Sequence, residues 1–200
     1  MGRPGIFGLL ALGLALSLPG HANEPVNLTA ELPSVTVETA DGPIEIRRNP
    51  DNDARVSDYY AQTSRPCPPF CLQPMVPVPG VVPIGELELL TFLEAGEGVL
   101  IDARTEDWHL DETIPGAVNI PYVEITLRLD ELGCTGETGA WDCSAAKPVC
   151  LFCNGPWCGQ SPTAIRAMVR AGYPPEKIHY YRAGMQGWNG VGLTTVAGSL

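Results

Sequence analysis

From residue 84 onward, short apolar segments alternate with segments of helical pattern. This alternation predicts four strands and three helices. The strands are predicted at residues 99–103, 117–120, 149–152 and 178–181, and the helices at residues 86–95, 123–132 and 162–171. Parallel strands need long crossover connections, which are usually helices, so the alternation predicts a mostly parallel sheet with helices on both faces. Ligands of such sheets bind beyond the carboxyl ends of the strands.

The sequence before residue 84 has a different texture. Residues 35–38 and 44–47 alternate apolar and polar around Asp41-Gly42, which predicts a β-hairpin. Residues 64–83 are dense in proline, which predicts an extended strap without helix because proline disrupts helix interiors. We therefore predict a signal peptide at 1–22, an N-terminal extension at 23–82 and a domain at 83–200, with a Gly-rich insertion at 133–147.

The first 22 residues have the pattern of a secretory signal peptide. Arg3 and the amino terminus are positive, and the apolar run at 6–18 is shorter than the roughly 20 residues that span a bilayer. Gly20-His-Ala22 offers small residues for cleavage. The alternative is an uncleaved membrane anchor. We predict cleavage near Ala22 and a periplasmic or secreted protein.

The charge of the chain argues against nucleic acid as a partner. The formal net charge is −11, from 12 Lys and Arg against 23 Asp and Glu. The predicted signal peptide holds one basic residue and no acidic one, so its removal leaves 11 against 23, or −12. Binding to nucleic acid needs cations that displace counterions. We expect no nucleic-acid partner and, after cleavage of the signal peptide, no membrane association.

All seven cysteines follow the predicted signal peptide, in a compartment that permits disulfides. An odd number leaves at least one cysteine outside intrachain pairs. Proximity suggests two disulfides, although sequence leaves the connectivity open: Cys67 with Cys71, and Cys134 with Cys143. Three cysteines would then remain: Cys150, Cys153 and Cys158. Cys150 lies within a predicted strand, so we interpret it as a small core residue.

Two cysteine spacings resemble those of zinc ligands, at Cys67-x3-Cys71 and Cys150-x2-Cys153. Beyond the predicted signal peptide the chain has only two histidines, His109 and His179, and neither is near a cysteine in sequence. Export also disfavours free-thiolate zinc sites. We expect no metal and no cofactor, and we predict both histidines on the surface.

Cys153 is the strongest candidate for a reactive group. It follows the predicted strand at 149–152 and precedes a tight Gly/Pro loop and a helix. Backbone N–H groups of such a loop and the positive end of the helix stabilise a thiolate, which is the nucleophilic form of cysteine. The alternatives are a buried structural cysteine, or half of a disulfide between Cys153 and Cys158.

Four motifs in order resemble those of the rhodanese, or sulfurtransferase, domain over roughly residues 83–196. Asp102-Ala-Arg104 resembles the family's Asp-x-Arg, and Thr113-Ile-Pro-Gly-Ala resembles its His-Ile-Pro-Gly-Ala with threonine in place of histidine. Cys153 occupies the catalytic position, and the segment from Gly184 to Trp188 resembles the closing Gly-x-x-x-Trp pattern. The Pro/Cys strap and the hairpin lie outside the resemblance.

The resemblance implies a five-stranded parallel sheet with helices on both faces. It also implies that Cys153 takes sulfane sulfur from a small donor, such as thiosulfate or a persulfide, and passes it to a thiol acceptor. From its position five residues after Cys153 in the same loop, Cys158 is a second candidate catalytic residue that would resolve the persulfide of Cys153, and the alternative is that it only fills the loop. The residues implied in substrate binding are Asn154, Gly155, Pro156, Trp157, Gly159 and Arg104.

The loop departs from the family's pattern in three ways. Residues 154–158 carry no charge, Pro156 lacks an N–H donor, and the loop from Cys153 to Ser161 is longer by about two residues. The longer loop argues against thiosulfate as the natural donor. Gly159 and Gln160 stand where a cysteine phosphatase would need its phosphate-binding arginine, so phosphatase activity is not expected.

Several of these interpretations keep an alternative. For Arg104, a structural ion pair is favoured over a substrate contact. Trp188 is interpreted as core packing under the loop, and Trp157 either shields the sulfur or caps the loop. The leading function is an exported sulfurtransferase. The alternatives are a thiol–disulfide redox protein that uses Cys153 and Cys158, and a non-catalytic binding module on the same scaffold.

Overall fold

The computed structural model describes Gly2 and residues 25–200, so the predicted signal peptide lies, apart from Gly2, outside the described residues. The strands and helices of the described part are labelled in chain order. They are β1 (Ser34–Thr39), β2 (Gly42–Arg47), α1 (Asp58–Ala61), β3 (Val82–Ile84), α2 (Glu86–Ala95), β4 (Val99–Asp102), α3 (Glu106–Asp111), β5 (Val118–Asn119), β6 (Thr135–Glu137), β7 (Ala140–Asp142), β8 (Val149–Phe152), α4 (Gln160–Arg170), β9 (Ile178–Tyr181) and α5 (Gly184–Gly190). None of these helices has the length and apolar character needed to cross a bilayer.

A five-stranded sheet forms the centre of the fold. Its strand order is β3-β9-β8-β4-β5, and every neighbouring pair is parallel. Helices cover both faces, so the predicted fold class is confirmed, and all four predicted strands are present with small differences in their ends. Asp102 of β4 pairs with Phe152 of β8, so the residues that follow these two strands emerge together at the carboxyl edge.

Alternate residues of the strands build two hydrophobic clusters, one on each face of the sheet. Val149 and Leu151 of β8 belong to the cluster under α4, while Cys150 and Phe152 belong to the cluster under α2 and α5. Cys150 is therefore the core residue that the sequence predicted, and burial raises the pKa of its thiol.

The predicted hairpin is formed by β1 and β2, which pair antiparallel around the turn at Gly42. Its inward side chains, Val35, Val37 and Ile46, are buried in the same cluster as Trp188 of α5. Trp188 is fully buried, which confirms its interpretation as a core residue. The extension and the α/β sheet thus share one hydrophobic core on this face.

Both predicted disulfides are present. The disulfide between Cys67 and Cys71 closes a short loop within the strap, which has no helix between residues 64 and 83. The disulfide between Cys134 and Cys143 joins the two sides of the Gly-rich insertion, where β6 and β7 form a second hairpin. Cys150, Cys153 and Cys158 are free and buried.

The helix predicted at residues 123–132 is wrong. The segment forms a short 3₁₀ helix, Ile125–Leu127, followed by turns. Its backbone bonds are of the i to i+3 type, as in the bonds from the Leu127 N–H to the Glu124 carbonyl and from the Gly133 N–H to the Asp130 carbonyl. β-branched residues at 123, 125 and 126 weaken the helical tendency, while Ile125, Leu129 and Leu132 still reach the core.

Candidate active site

Cys153 lies at the carboxyl end of β8, the central strand, and is 2% exposed. The first turn of α5 holds its backbone, because the Met185 N–H donates to the Cys153 carbonyl at 3.0 Å. This close approach requires glycine at position 184. Gly184 has a φ of +57°, and a Cβ there would lie 2.2 Å from the Cys153 carbonyl oxygen.

The surroundings of Cys153 favour its thiolate. Burial opposes ionisation, but the Cys158 thiol, the Ser161 hydroxyl and N–H, and the Gly155 N–H surround the sulfur and favour its charged form, which outweighs burial. Together they lower the pKa of Cys153 from 9.0 to about 7. These donors come from the loop and from the first turn of α4, which is the arrangement that the strand–loop–helix pattern predicted.

Cys158 is the proton-bearing partner of this pair. The Cys158 thiol donates to Gln160 Oε1 at 3.4 Å, and the neighbouring Cys153 together with burial raises the pKa of Cys158, so Cys158 stays protonated where Cys153 ionises. The loop brings the two residues together, since the Cys158 N–H donates to the Gly155 carbonyl at 2.9 Å and Cys153 Sγ lies 3.4 Å from the Cys158 carbonyl oxygen. The two thiols can therefore react with one sulfur atom in turn.

Ser161 is a functional candidate that the sequence analysis missed. Its side chain is fully buried in the first turn of α4, and its hydroxyl has no nitrogen or oxygen partner within the part of the chain that the structure describes. That hydroxyl is available to the Cys153 thiolate. Its position was a usable signal, because side chains in the first turn after such a loop lie beside the group that the loop surrounds.

Trp157 covers the two thiols. Its side chain is 7% exposed and packs with Cys153 and Cys158 in a small separate cluster. The indole N–H donates to Gln186 Oε1 at 2.8 Å, which fixes the ring over the loop. Of the two roles left open for Trp157, this contact supports shielding of the sulfur.

The strap lies over Trp157 and the loop. The guanidinium of Arg65 lies 3.8 Å from the centre of the Trp157 ring and 4.4 Å from that of Tyr59. Phe70, next to the strap disulfide, meets Trp157 edge-on. The sequence analysis could not find this cover, because nothing in the strap's local pattern says which surface it crosses.

Other loop residues hold the loop in place through backbone contacts. The Pro156 carbonyl accepts the Gln73 N–H of the strap at 2.8 Å, and Gly159 is the N-cap of α4. Gly155 directs its N–H to Cys153, and it has no room for a side chain because a Cβ would lie 3.0 Å from Gln186 Oε1. Of these three, only Gly155 directs a donor at the reactive sulfur.

Arg104 forms the ion pair that the sequence analysis favoured. Its guanidinium is fully buried and contacts both carboxylate oxygens of Asp102, at 2.9 and 2.6 Å. It also donates to Asn154 Oδ1 at 3.2 Å. Arg104 thus supports the loop through Asn154, with its own side chain closed off from solvent. The pKa of Asp102 is lowered: burial opposes this, and the hydrogen bonds from Arg104 and His109 outweigh it.

The surface position predicted for His109 is wrong. His109 is 1% exposed, and its Nδ1 lies 3.1 Å from Asp102 Oδ2, the oxygen that also accepts the Thr113 hydroxyl at 2.9 Å. His179 is half-buried against Phe92. His109 was misjudged because its partner lies on another element. Among residues 25–200, no three His, Cys, Asp or Glu side chains converge as a metal site would need.

An HTH-type transcriptional regulator from Mycobacterium tuberculosis is 34% identical over 116 residues, which are 58% of this chain and 45% of the regulator. The chain therefore spans less than half the length of that relative.

The solved structures similar to this chain include a thiosulfate sulfurtransferase from Pseudomonas aeruginosa. It is 26% identical, and the match covers 60% of this chain and 21% of that one with a TM-score of 0.45. The human single-domain sulfurtransferase TSTD1 is 20% identical, with a TM-score of 0.41 over 54% of this chain and 94% of that one. The rhodanese-like domain family itself matches residues 87–190, just over half of the chain, and this span holds Asp102, Cys153 and Trp188. By that match, the chain belongs to the rhodanese-like domain family.

Proposed function

We propose that the protein is an exported sulfurtransferase that carries sulfane sulfur as a persulfide on Cys153. The observation that carries the proposal is the buried Cys153 thiol at the carboxyl end of β8, surrounded by Cys158, Ser161 and Gly155, which together lower its pKa to about 7. Such surroundings stabilise negative charge on sulfur, and a persulfide anion has the same need. Membership of the rhodanese-like family supports the same chemistry.

The reaction consists of two displacements at sulfur. The Cys153 thiolate attacks the outer sulfur of a donor such as thiosulfate or an organic persulfide. The new sulfur–sulfur bond forms as the donor's own breaks, and sulfite or a thiolate leaves with the electron pair. In the second step an acceptor thiolate attacks the outer sulfur of the persulfide. Cys153 then leaves as a thiolate, which its low pKa favours.

Cys158 provides a second outcome for the persulfide. Its thiol can attack the inner sulfur on Cys153, which forms a disulfide between the two residues and releases hydrosulfide with the thiol proton. The proximity of the two residues in the loop supports this step, since Cys153 Sγ lies 3.4 Å from the Cys158 carbonyl oxygen. The same contact favours the second candidate function, a thiol–disulfide redox protein in which Cys153 attacks and Cys158 resolves.

Export to the periplasm or outside the cell belongs to the proposal. The signal pattern of the first 22 residues supports it, and so do the two disulfides, which are rare in a reducing cytosol. The partners proposed are a small sulfur donor and a thiol acceptor, without nucleic acid and without a membrane after cleavage of the signal peptide. N-terminal sequencing of the native protein should begin near Asn23.

Intact-mass analysis tests the proposal. Purified protein is treated with thiosulfate, or with an organic persulfide in a second arm, and is measured with and without reductant. The expected result is a gain of one sulfur atom that reductant removes and that Cys153→Ser abolishes. Loss of two hydrogens with a disulfide from Cys153 to Cys158, and never an added sulfur, would favour the redox candidate instead.

The third candidate is a binding module without catalysis. The match to part of a transcriptional regulator favours it, since that protein is named for regulation and not for sulfur transfer. Under this candidate, a Cys153→Ser variant keeps its cellular function. Under the leading proposal, the same variant loses it.

A further inference from the structure

A cavity of about 790 Å³ is lined partly by the N-terminal extension and partly by the α/β domain. We call it the arginine cavity. Its lining comes from residues 47–60, from residues 104–112 and from the end of the chain at residues 189–197. The part of the lining from residues 47–60 lies outside the span that matches the rhodanese-like family. The cavity is therefore a feature of this chain in addition to the family's common core.

Three cations face this cavity without acidic partners. Arg47, Arg48 and Arg55 line it, and no carboxylate of the described residues lies within 4.0 Å of their guanidinium groups. Of the two acids in the lining, Glu112 accepts a hydrogen bond from Asn189 and Asp111 is exposed. In a chain with a net charge of −11, this local excess of cations marks a site for an anion.

The cavity comes close to the reactive thiol through one aromatic side chain. Tyr59 lines the cavity and also packs against the cluster of Cys153, Trp157 and Cys158. Its neighbour Tyr60 lines the cavity too and donates its hydroxyl to Asn154 of the loop at 3.4 Å. The Tyr59 ring thus stands between the arginine cavity and the Cys153 pair.

A second cavity reaches the other side of the loop and has the opposite character. It is lined by Pro156 together with Glu86 and Glu88. The cation in its lining, Arg182, donates its Nε–H to the Gln73 carbonyl. An anion would be repelled there and attracted by the arginine cavity. The two cavities therefore favour ligands of opposite charge.

We propose that the arginine cavity is the entry and binding site for an anionic organic sulfur compound, and that Tyr59 is the gate between this cavity and Cys153. The proposal rests on the sulfurtransferase function proposed above and names the class of its small substrate. A cavity of this volume suits an organic molecule rather than thiosulfate alone. The ring of Trp108, whose centre lies 4.6 Å from that of Tyr59 at a tilted angle, offers an apolar surface for the organic part.

Charged thiosulfonate reagents test the route without requiring sulfur transfer. The thiolate attacks the sulfenyl sulfur, a new sulfur–sulfur bond forms, and methanesulfinate leaves with the electron pair. Two reagents of similar size are compared, one with a sulfonatoethyl group and one with a trimethylammonioethyl group. Labelling of Cys153 is followed by intact mass and peptide mapping on the full mature chain.

At low ionic strength the anionic reagent should label Cys153 about fivefold faster than the cationic one, and added salt should reduce the ratio. The double variant Arg47→Gln/Arg55→Gln should bring the ratio close to one. Arg170→Gln, an exposed arginine at the end of α4 on the other face of the sheet, is the matched control and should leave it unchanged. A cationic preference, or a ratio that Arg65→Gln removes and the double variant does not, would overturn the proposal.

The gate has its own pair of variants. Tyr59→Ala should speed labelling by both reagents while the anionic preference persists, and Tyr59→Phe, which keeps the ring, should match the wild type. Equal rates for Tyr59→Ala and wild type would refute the gate. The reaction with a thiosulfonate needs only a thiolate and does not depend on sulfur transfer. Failure of the protein to form a persulfide would therefore refute the sulfurtransferase proposal without affecting the charge preference, so the two failures are distinguishable.

Discussion

Replacing Ser161 with alanine should raise the pKa of Cys153. The Ser161 hydroxyl is fully buried, has no other partner among the described residues, and is one of the donors that lower this pKa to about 7. A hydrogen bond to a charged group contributes about 1.5–3 kcal/mol. Since 1.36 kcal/mol corresponds to one pKa unit, Ser161→Ala should raise the Cys153 pKa by about one to two units.

The assay is the pH dependence of alkylation by iodoacetamide, with Cys153 quantified by peptide mapping. The rate follows the thiolate fraction, so its midpoint gives the pKa directly. Thr163→Ala is the matched control, because Thr163 lies in the same turn of α4 and is exposed. Its midpoint should equal that of the wild type.

Ser161→Ala also has a predicted effect on the free energy of unfolding. In the thiol state the Ser161 hydroxyl is buried without a partner, so its removal should not lower the free energy of unfolding at pH 5. Loss of more than about 1 kcal/mol at pH 5 would mean that the hydroxyl has a structural partner. An alkylation midpoint that stays within experimental error of the wild type would refute the role of Ser161 in stabilising the thiolate.

Three further outcomes are expected. First, the pKa of Cys153 is lowered from 9.0 to about 7, so ionisation of this thiol should stabilise the folded wild type as the pH rises. Relative to Cys153→Ser, the free energy of unfolding of the wild type should increase by about 2 kcal/mol between pH 7 and 9 and should show no such pH dependence below pH 6, as measured by urea unfolding across pH. Second, Arg104→Gln should cost about 3–5 kcal/mol because it leaves the buried Asp102 carboxylate unpaired, whereas Arg128→Gln, which breaks partly exposed pairs, should cost less than about 1 kcal/mol in the same assay. Third, replacing Cys67 and Cys71 with serine should lower the unfolding free energy by about 2 kcal/mol, since the disulfide closes a short loop, and thermal unfolding under non-reducing conditions checks this.

Four of the five sheet strands and the β1–β2 hairpin could be predicted from short-range patterns of apolar residues, whereas β3 and the β6–β7 hairpin were not predicted. Val149 to Phe152 formed a continuous apolar run that ended at a cysteine, and the structure has β8 over the same residues. The helix at 123–132 failed for the converse reason. Its apolar residues have spacings compatible with a helix, but core contacts are also satisfied by a series of turns, and local periodicity does not distinguish the two.

The reactive cysteine could be predicted and most of its surroundings could not. Cys153 followed from a local order of strand, loop and helix. Ser161 needed only the next helical turn and was within reach of the same reasoning. His109 and Arg65 were out of reach, since one meets Asp102 from another element and the other comes from the strap, more than eighty residues before the thiol. Such long-range contacts leave no periodic trace in the sequence.

The chain divides its active site between two origins. The family span provides the thiol, the donors that favour its ionisation, and the Asp102–Arg104 pair that supports the loop through Asn154. The extension provides the cover over Trp157 and the cations of the arginine cavity. Reactivity therefore depends on residues within the family span, while access depends on residues of the extension. Substitutions in the extension should change which reagents reach Cys153 and leave its pKa near 7, whereas substitutions at Ser161 should do the reverse.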